Sequence, residues 1–263
     1  MLSPAQFAEK KARNEKIVFC TCYDYTFAKI VETAGLDAIL VGDSSAMVMH
    51  GYPDVIPATV PMLAAHTAAV ARGAKNTFIV ADMPFLSFRQ GKYKAAEAAG
   101  ALMRAGAQAV KIEGVEGHED VIEFLVQSGI PVMGHIGLTP QSLNQLGGFK
   151  VQGKTIEAAA RVTLNAQQLE SLGCFSVVLE CIPQGLGQTI SEQLTIPTIG
   201  IGAGEHTDGQ ILVLQDLLGM NTGFKPKFLR TFLDGAALIQ NALQEYKVAV
   251  QEGTFPNEAE RYR

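Results

Sequence analysis

The chain has 263 residues, 48% hydrophobic and 18% charged, a balance that describes a well-buried globular protein and excludes a disordered one. Its formal net charge of −5, with Lys and Arg scattered, argues against sequence-independent nucleic-acid binding, which needs a basic surface. No apolar run approaches the ~18 residues that would read as a membrane span.

The N-terminal stretch M-L-S-P-A-Q-F-A-E-K-K-A-R lacks a signal-peptide core and reads as a helix start, with Ser3 as N-cap and Pro4 at the first helical position. The first strand candidate is I-V-F-C-T-C (17–22), followed by a helix over 25–34. A-I-L-V-G-D (38–43) is the second strand, leading into the long loop H-G-Y-P-D-V-I-P-A-T-V-P (50–61) and a helix over 61–72. F-I-V-A-D (78–82) precedes a helix over 92–105, and A-V-K-I-E (109–113) one over 117–128. After P-V-M-G-H-I (131–136) comes L-G-G-F-K-V-Q-G-K (146–154), a Gly-rich loop well placed to act as a lid, then a helix over 155–171. S-V-V-L-E (176–180) and P-T-I-G-I-G (197–202) are further strands. The segment 205–216 reads as a helix or, over 210–215, as an eighth strand. A long amphipathic helix, or pair, runs from about 226 to 250.

These runs are apolar without clean alternation, as expected for parallel strands covered on both faces. Seven or eight βα units in ~260 residues match a closed (β/α)8 TIM barrel, here one domain over 1–263 with N-terminal and C-terminal helical additions. A doubly wound open sheet is the alternative. Cys20, Cys22, Cys174 and Cys181 fit no zinc or C-x-x-C spacing and read as reduced thiols of a cytoplasmic protein.

The strand ends carry the chemistry. The second ends at Asp43 and Ser44, the third at Asp82, the fourth at Lys111 and Glu113, the fifth at His135 and the sixth at Glu180. In a barrel these ends form one mouth, where active sites of this fold lie. Each has a structural reading too: Asp43 or Asp82 as a helix N-cap, Glu113 as the partner of Lys111, His135 as a hydrogen-bonding core histidine, and Glu180 as a solvated loop residue. Together, four carboxylates at four strand ends would repel one another unless a cation sat among them. Oxygen-only ligands suit Mg²⁺, with Asp43 and Asp82 as the expected direct ligands and Glu113 ligating directly or through water. Lys111 would offset the excess negative charge and hold a substrate carboxylate. Glu180, further round the ring, would stand free as a general base. The turn I-G-I-G-A-G (199–204) reads either as a phosphate-binding loop or as glycines required by tight packing.

V-G-D-S (41–44), A-D-M-P-F (81–85), R-A-G-A-Q-A-V-K-I-E-G (104–114), P-V-M-G-H-I-G-L-T-P-Q-S (131–142), G-G-F-K-V-Q-G (147–153), V-L-E-C (178–181) and I-P-T-I-G-I-G-A-G (196–204) together resemble the ketopantoate hydroxymethyltransferase family, in order over nearly the whole chain. The resemblance implies a barrel of the phosphoenolpyruvate/pyruvate-type superfamily. It implies transfer of a hydroxymethyl group from 5,10-methylenetetrahydrofolate to 3-methyl-2-oxobutanoate through a Mg²⁺-stabilised enolate, giving ketopantoate for pantothenate and coenzyme A biosynthesis. It implies Mg²⁺ at Asp43, Asp82 and Glu113, 2-oxo-acid contacts from Asp43, Ser44, Asp82 and Lys111, and Glu180 as proton acceptor. It also implies a large homo-oligomer, expected to be a homodecamer of two stacked pentamers. The sequence departs from the family pattern at Ser45 and Ala46, where Leu-Gly is usual, at Ile182 for Val, and at Gln215 for His. A related lyase or mutase working through a metal-bound enolate without folate is the nearest rival, and a non-catalytic scaffold of this fold a more distant one.

Overall fold

A computed structural model describes residues 2–223 and 225–262. Eight strands close into a parallel barrel in sequence order: β1 (Ile17–Thr21), β2 (Ala38–Val41), β3 (Phe78–Asp82), β4 (Ala109–Glu113), β5 (Val132–Gly137), β6 (Ser176–Glu180), β7 (Thr198–Ile201) and β8 (Gly209–Leu212). The open doubly wound sheet is therefore rejected. The segment 205–216 does not form the competing helix. Its middle pairs with β1 and β7, and only Leu214–Leu217 is helical. Gly209 stands opposite Ile17, and a Cβ there would overlap the Ile17 carbonyl oxygen, so glycine permits the closing strand to approach.

Helices over Tyr25–Ala34, Val60–Gly73, Lys92–Arg104, Glu119–Gln127, Ile156–Ser171 and Gln184–Gln193 connect the strands. The last, between β6 and β7, has two glycines and no clear apolar stripe, and periodicity did not pick it out. The others begin within two residues of the expected starts. Asp24, Thr59 and Thr155 cap their helices by accepting from backbone N–H groups in the first turn, which supplies part of what the unpaired N-termini require.

Side-chain alternation divides the strands into two layers. Outward residues, among them Ala81, Val110, Ile112, Val132, Ile136, Val177 and Leu179, pack in one apolar cluster with the surrounding helices. Inward residues Phe19, Leu40, Phe78, Val80, Ala109, Met133, Val178 and Ile199 form a second. The N-terminal helix Pro4–Ala12, started at Ser3 as expected, contributes Phe7 to that inner cluster. The Phe7 ring lies 5.1 Å from Phe78, 5.5 Å from Phe175 and 5.9 Å from Phe19. An aromatic plug of this kind fills the N-terminal mouth and leaves the other end for chemistry.

The chain divides into two compact units, one ending at Val213 and one beginning at Leu214. The second holds the helix Gly235–Gln251, which starts nine residues later than the 226 expected. Within this unit Gly235 N–H donates to Leu218 O at 2.9 Å and the Tyr246 and Phe255 rings meet at 5.6 Å. Leu238, Ile239, Leu243 and Tyr246 of the helix are exposed. No helix among the described residues is long and apolar enough to cross a membrane.

Candidate active site

Following each inward face toward its C-terminal end, the side chains turn from apolar to charged: Phe78, Val80, Asp82 on β3; Ala109, Lys111, Glu113 on β4; Met133, His135 on β5; Ser176, Val178, Glu180 on β6. Asp82, Lys111, Glu113 and His135 are each at most 4% exposed. Charges so buried are stable only when paired, and sheet register supplies the pairs. Asp82 stands across from Lys111, and Lys111 Nζ lies 3.0 Å from Asp82 Oδ1. Glu113 stands across from His135, and Glu113 Oε1 lies 3.3 Å from His135 Nδ1. Pairing of Lys111 with Glu113, one structural reading of the sequence, is not what forms. Residues two apart on a strand are separated by about 6.6 Å, whereas neighbouring strands lie about 4.8 Å apart.

His135 links the ring. Its Nε2 is 3.2 Å from Glu180 Oε2, and its Nδ1 is also 3.1 Å from Lys111 Nζ. The two Nδ1 contacts exclude each other as hydrogen bonds, because Lys111 only donates and Glu113 only accepts. Burial and the Lys111 charge disfavour the imidazolium, but the Glu113 and Glu180 carboxylates outweigh them and raise the His135 pKa. Burial would likewise lower Lys111, yet Asp82, Glu113 and Asp43 hold it above its ordinary value. Burial would raise Glu113, but His135 and Lys111 hold it low. Asp43 has no such relief: burial, then Asp82 and Glu113, push its pKa well above the usual carboxylate range.

Asp43 and Ser44 follow β2 on a turn. Gly42 allows it: a Cβ there would fall 2.7 Å from Ser44 Oγ and 3.4 Å from Asp82 Oδ2. Asp43 N–H donates to Asp82 Oδ2 at 2.9 Å. Ser44 Oγ shares a hydrogen bond of 2.9 Å with the Tyr23 hydroxyl. All six expected site residues, Asp43, Ser44, Asp82, Lys111, Glu113 and Glu180, thus lie at the C-terminal mouth.

Two residues escaped the sequence reading. Gln141, nearly buried, donates from Nε2 to Asp43 Oδ2 at 2.8 Å and to Met83 O at 3.0 Å, and its backbone N–H donates to Glu113 Oε2 at 2.9 Å. Tyr23, fully buried behind Ser44, is the other. Gln141 falls within the quoted G-H-I-G-L-T-P-Q-S segment, but a neutral amide in a loop carries no charge signal.

The lid region is anchored at its far end. Gln152 N–H donates to Cys181 O at 2.8 Å, next to Glu180. Gly153 is buried, with a Cβ position that would overlap Leu186. Phe149 and Val151 are exposed. Cys181 itself is left-handed, φ 47°, a conformation that costs about 1 kcal/mol or more for a residue with a Cβ. All four cysteines are free, and burial pushes the Cys20 thiol up to about 12 and Cys22 to about 11. Gly200 and Gly204 of I-G-I-G-A-G follow the packing reading. A Cβ on Gly200 would meet Thr207 and one on Gly204 would meet Gln184.

The donor set suits a hard cation. Asp82 Oδ1 and Glu113 Oε1 are buried, and their charge contacts lack hydrogen-bond geometry. With Asp43 they offer only oxygens, the choice of Mg²⁺ over softer metals. Among the described residues no three acids, histidines or cysteines already converge on one metal-sized point. The carboxylates are turned instead to Lys111, Gln141 and His135.

The family model described as ketopantoate hydroxymethyltransferase matches residues 2–258. A protein of Bdellovibrio bacteriovorus named 3-methyl-2-oxobutanoate hydroxymethyltransferase is 53% identical over 256 residues, 97% of each chain. One of the same name from Francisella tularensis subsp. novicida is 50% identical over 262 residues, 100% of this chain and 99% of its own. Among solved structures, a phosphoenolpyruvate phosphomutase from Streptomyces platensis subsp. rosaceus superposes with TM-score 0.65 at 15% identity, covering 96% of this chain and 88% of its own, a likeness of fold.

Proposed function

The chain belongs to the ketopantoate hydroxymethyltransferase family, and from that membership we propose that it transfers a hydroxymethyl group from 5,10-methylenetetrahydrofolate to 3-methyl-2-oxobutanoate, giving ketopantoate for pantothenate and coenzyme A synthesis. One observation carries the reading: Asp43, Asp82 and Glu113 are buried at the barrel mouth around a single lysine, with Glu180 alone among the acids of the ring partly open, its side chain 16% exposed.

Asp43 and Asp82 would hold Mg²⁺, with Glu113 completing the site directly or through water. When bound, the metal supplies Lewis-acid stabilisation of the charge that develops on the 2-oxo acid as C3 loses its proton. Lys111 leaves Asp82 far enough to hold the substrate carboxylate, and Ser44, fixed by Tyr23, donates to it. Asp43 and Asp82 border the same substrate. Glu180 takes the C3 proton. His135 positions that carboxylate through its Nε2 contact, and the hydrogen bond from Gln152 to Cys181 keeps the lid close enough to exclude water from the carbanion. The carbon then bonds to the methylene carbon of the folate; a water admitted after that bond has formed supplies the hydroxyl as the methylene carbon's bonds to nitrogen break, and tetrahydrofolate leaves with the proton.

The family also supports one catalytic domain over 1–263 and a cytoplasmic homodecamer with small-molecule partners only, testable by light scattering of the purified chain. The activity is tested by proton NMR of 3-methyl-2-oxobutanoate in D₂O, with Mg²⁺ or EDTA, then with methylenetetrahydrofolate. Mg²⁺-dependent loss of the C3 proton signal, then ketopantoate, is expected. Exchange without product would favour a folate-independent lyase; no exchange from folded protein would remove the enolate chemistry.

A further inference from the structure

Ser44 follows β2 and opens the one-turn helix Ser45–Val48. Both ends of that turn are tied to one residue, Tyr23. At the start, Ser44 Oγ and the Tyr23 hydroxyl lie 2.9 Å apart. At the far end His50, two residues past the helix, brings its Nε2 to 2.9 Å from His66 Nε2. His66, on the helix Val60–Gly73, turns its Nδ1 to the Tyr23 carbonyl oxygen at 2.6 Å. The contacts close a ring: Ser44 to His50 along the chain, then His66, Tyr23 and back to Ser44. The Tyr23 and His66 rings also meet edge to face, their centroids 6.2 Å apart.

Hydrogen-bond chemistry gives the ring a direction. A carbonyl oxygen only accepts, so His66 Nδ1 carries a proton. On a neutral His66 ring Nε2 then accepts, and His50 Nε2 donates. At the other end a substrate carboxylate only accepts, so Ser44 gives it the hydroxyl proton. Ser44 Oγ is then the acceptor toward Tyr23, and the phenol is the donor. The Thr21 side chain bonds the same phenol and donates to the lone pair that remains. Tyr23 is 1% exposed, so solvent does not compete for this order. A free hydroxyl rotates, and fixing its proton before the substrate arrives lowers the ordering cost of binding.

We propose that His66, with His50 behind it, is a positioning residue of the 2-oxo-acid site, holding Tyr23 so that the Ser44 proton faces the substrate carboxylate. The proposal rests on the reading that Ser44 receives that carboxylate, and the test separates the two. 3-Methyl-2-oxobutanoate is titrated by calorimetry into the Mg²⁺-loaded parent, His66→Ala, His66→Asn, Ser44→Ala and the double variant Ser44→Ala, His66→Ala. His66→Ala should weaken the acid about tenfold and raise KM far more than it lowers kcat. In the Ser44→Ala background the same change should cost less than about twofold, because the route ends at Ser44. His66→Asn puts an amide N–H where Nδ1 stood and should restore most of the affinity. Mg²⁺ affinity, titrated without the acid, should be the same in parent and His66 variants.

Parental affinity in His66→Ala would overturn the proposal. So would an equal loss with and without the Ser44 hydroxyl, which would make His66 a packing residue, or an Asn variant no better than Ala. If His66→Ala does not fold, His66→Gln takes its place in the same cycle. It keeps the bulk but puts its amide where Nε2 stood, so it should show the same Ser44-dependent loss, and its absence overturns the proposal equally. A loss in Ser44→Ala but none at His66 removes the positioning role and leaves Ser44 as the carboxylate's partner. Parental affinity in Ser44→Ala removes that reading of Ser44, and the proposal with it.

Discussion

Gln141 donates from Nε2 to Asp43 Oδ2 at 2.8 Å and from its backbone to Glu113 Oε2 at 2.9 Å, so one neutral residue holds two acids of the ring at once. Gln141→Leu removes the side-chain donor and leaves Asp43 Oδ2 and Met83 O buried without it. A loss of about 1–3 kcal/mol in metal-free protein is expected, measured by urea unfolding with EDTA. An unchanged midpoint would mean that Asp43 finds another donor.

Asp82 is the acid with the most direct claim on a cation, since Oδ2 already accepts from Asp43 N–H and Oδ1 faces Lys111. Asp82→Asn keeps the shape and removes the charge. Because a ligand that binds only the folded state raises its melting temperature, the parent should gain thermal stability with Mg²⁺ and the variant should gain little or none. An equal Mg²⁺-dependent shift in both would remove Asp82 from the metal site.

Lys111 is the cation among Asp82, Glu113 and Asp43. Lys111→Ala leaves these acids uncompensated, and breaking a buried pair in this way costs about 3–5 kcal/mol. The variant should be markedly less stable in EDTA, recover part of the loss in Mg²⁺, and show a raised KM for the 2-oxo acid. A fall in kcat alone would assign Lys111 to the transition state.

Glu180→Gln should fold and bind as the parent does, since its side chain is partly open at the mouth, but lose the proton acceptor. C3 exchange should fall by roughly 10²–10⁴-fold, the usual contribution of a positioned base. Exchange at the parent rate would place the base elsewhere.

His118 lies outside the ring, its Nδ1 3.3 Å from Glu116 O and its ring 5.0 Å from Phe88. Burial, then the charge of Arg89, lower its pKa from 6.5 to about 4, against smaller opposing effects from Glu116, Glu119 and Gly114. Between those values the unfolded chain binds a proton that the folded protein refuses. His118 therefore contributes stability in full above pH 6.5 and loses it as the pH falls toward 4. His118→Asn should flatten this part of the melting temperature–pH profile; an unchanged slope would show that other groups set it.

The barrel and the gathering of its charged residues at one mouth were legible because the relevant rules are local. Alternation along a strand places Asp82, Lys111, Glu113, His135 and Glu180 on the inner face, and the apolar residues before each one show which end is dry. The eighth strand was ambiguous because 205–216 carries both a helical and a strand pattern. Contacts with Ile17 and Ile199, distant in sequence, decide it. Gln141 and Tyr23 were silent because a loop amide and a buried phenol announce nothing until the acid and the hydroxyl they serve arrive from elsewhere.

By itself, then, the sequence determined which side chains meet at one mouth, since backbone geometry fixes the direction of each from its immediate neighbours. Only the tertiary structure decided who pairs with whom. Lys111 faces Asp82 rather than Glu113, His135 spans Glu113 and Glu180, and Gln141 joins Asp43 to Glu113. Those choices depend on the register between neighbouring strands and on how the loop after β5 returns over the mouth. Both are set by closure of the whole barrel, which no local stretch of chain encodes.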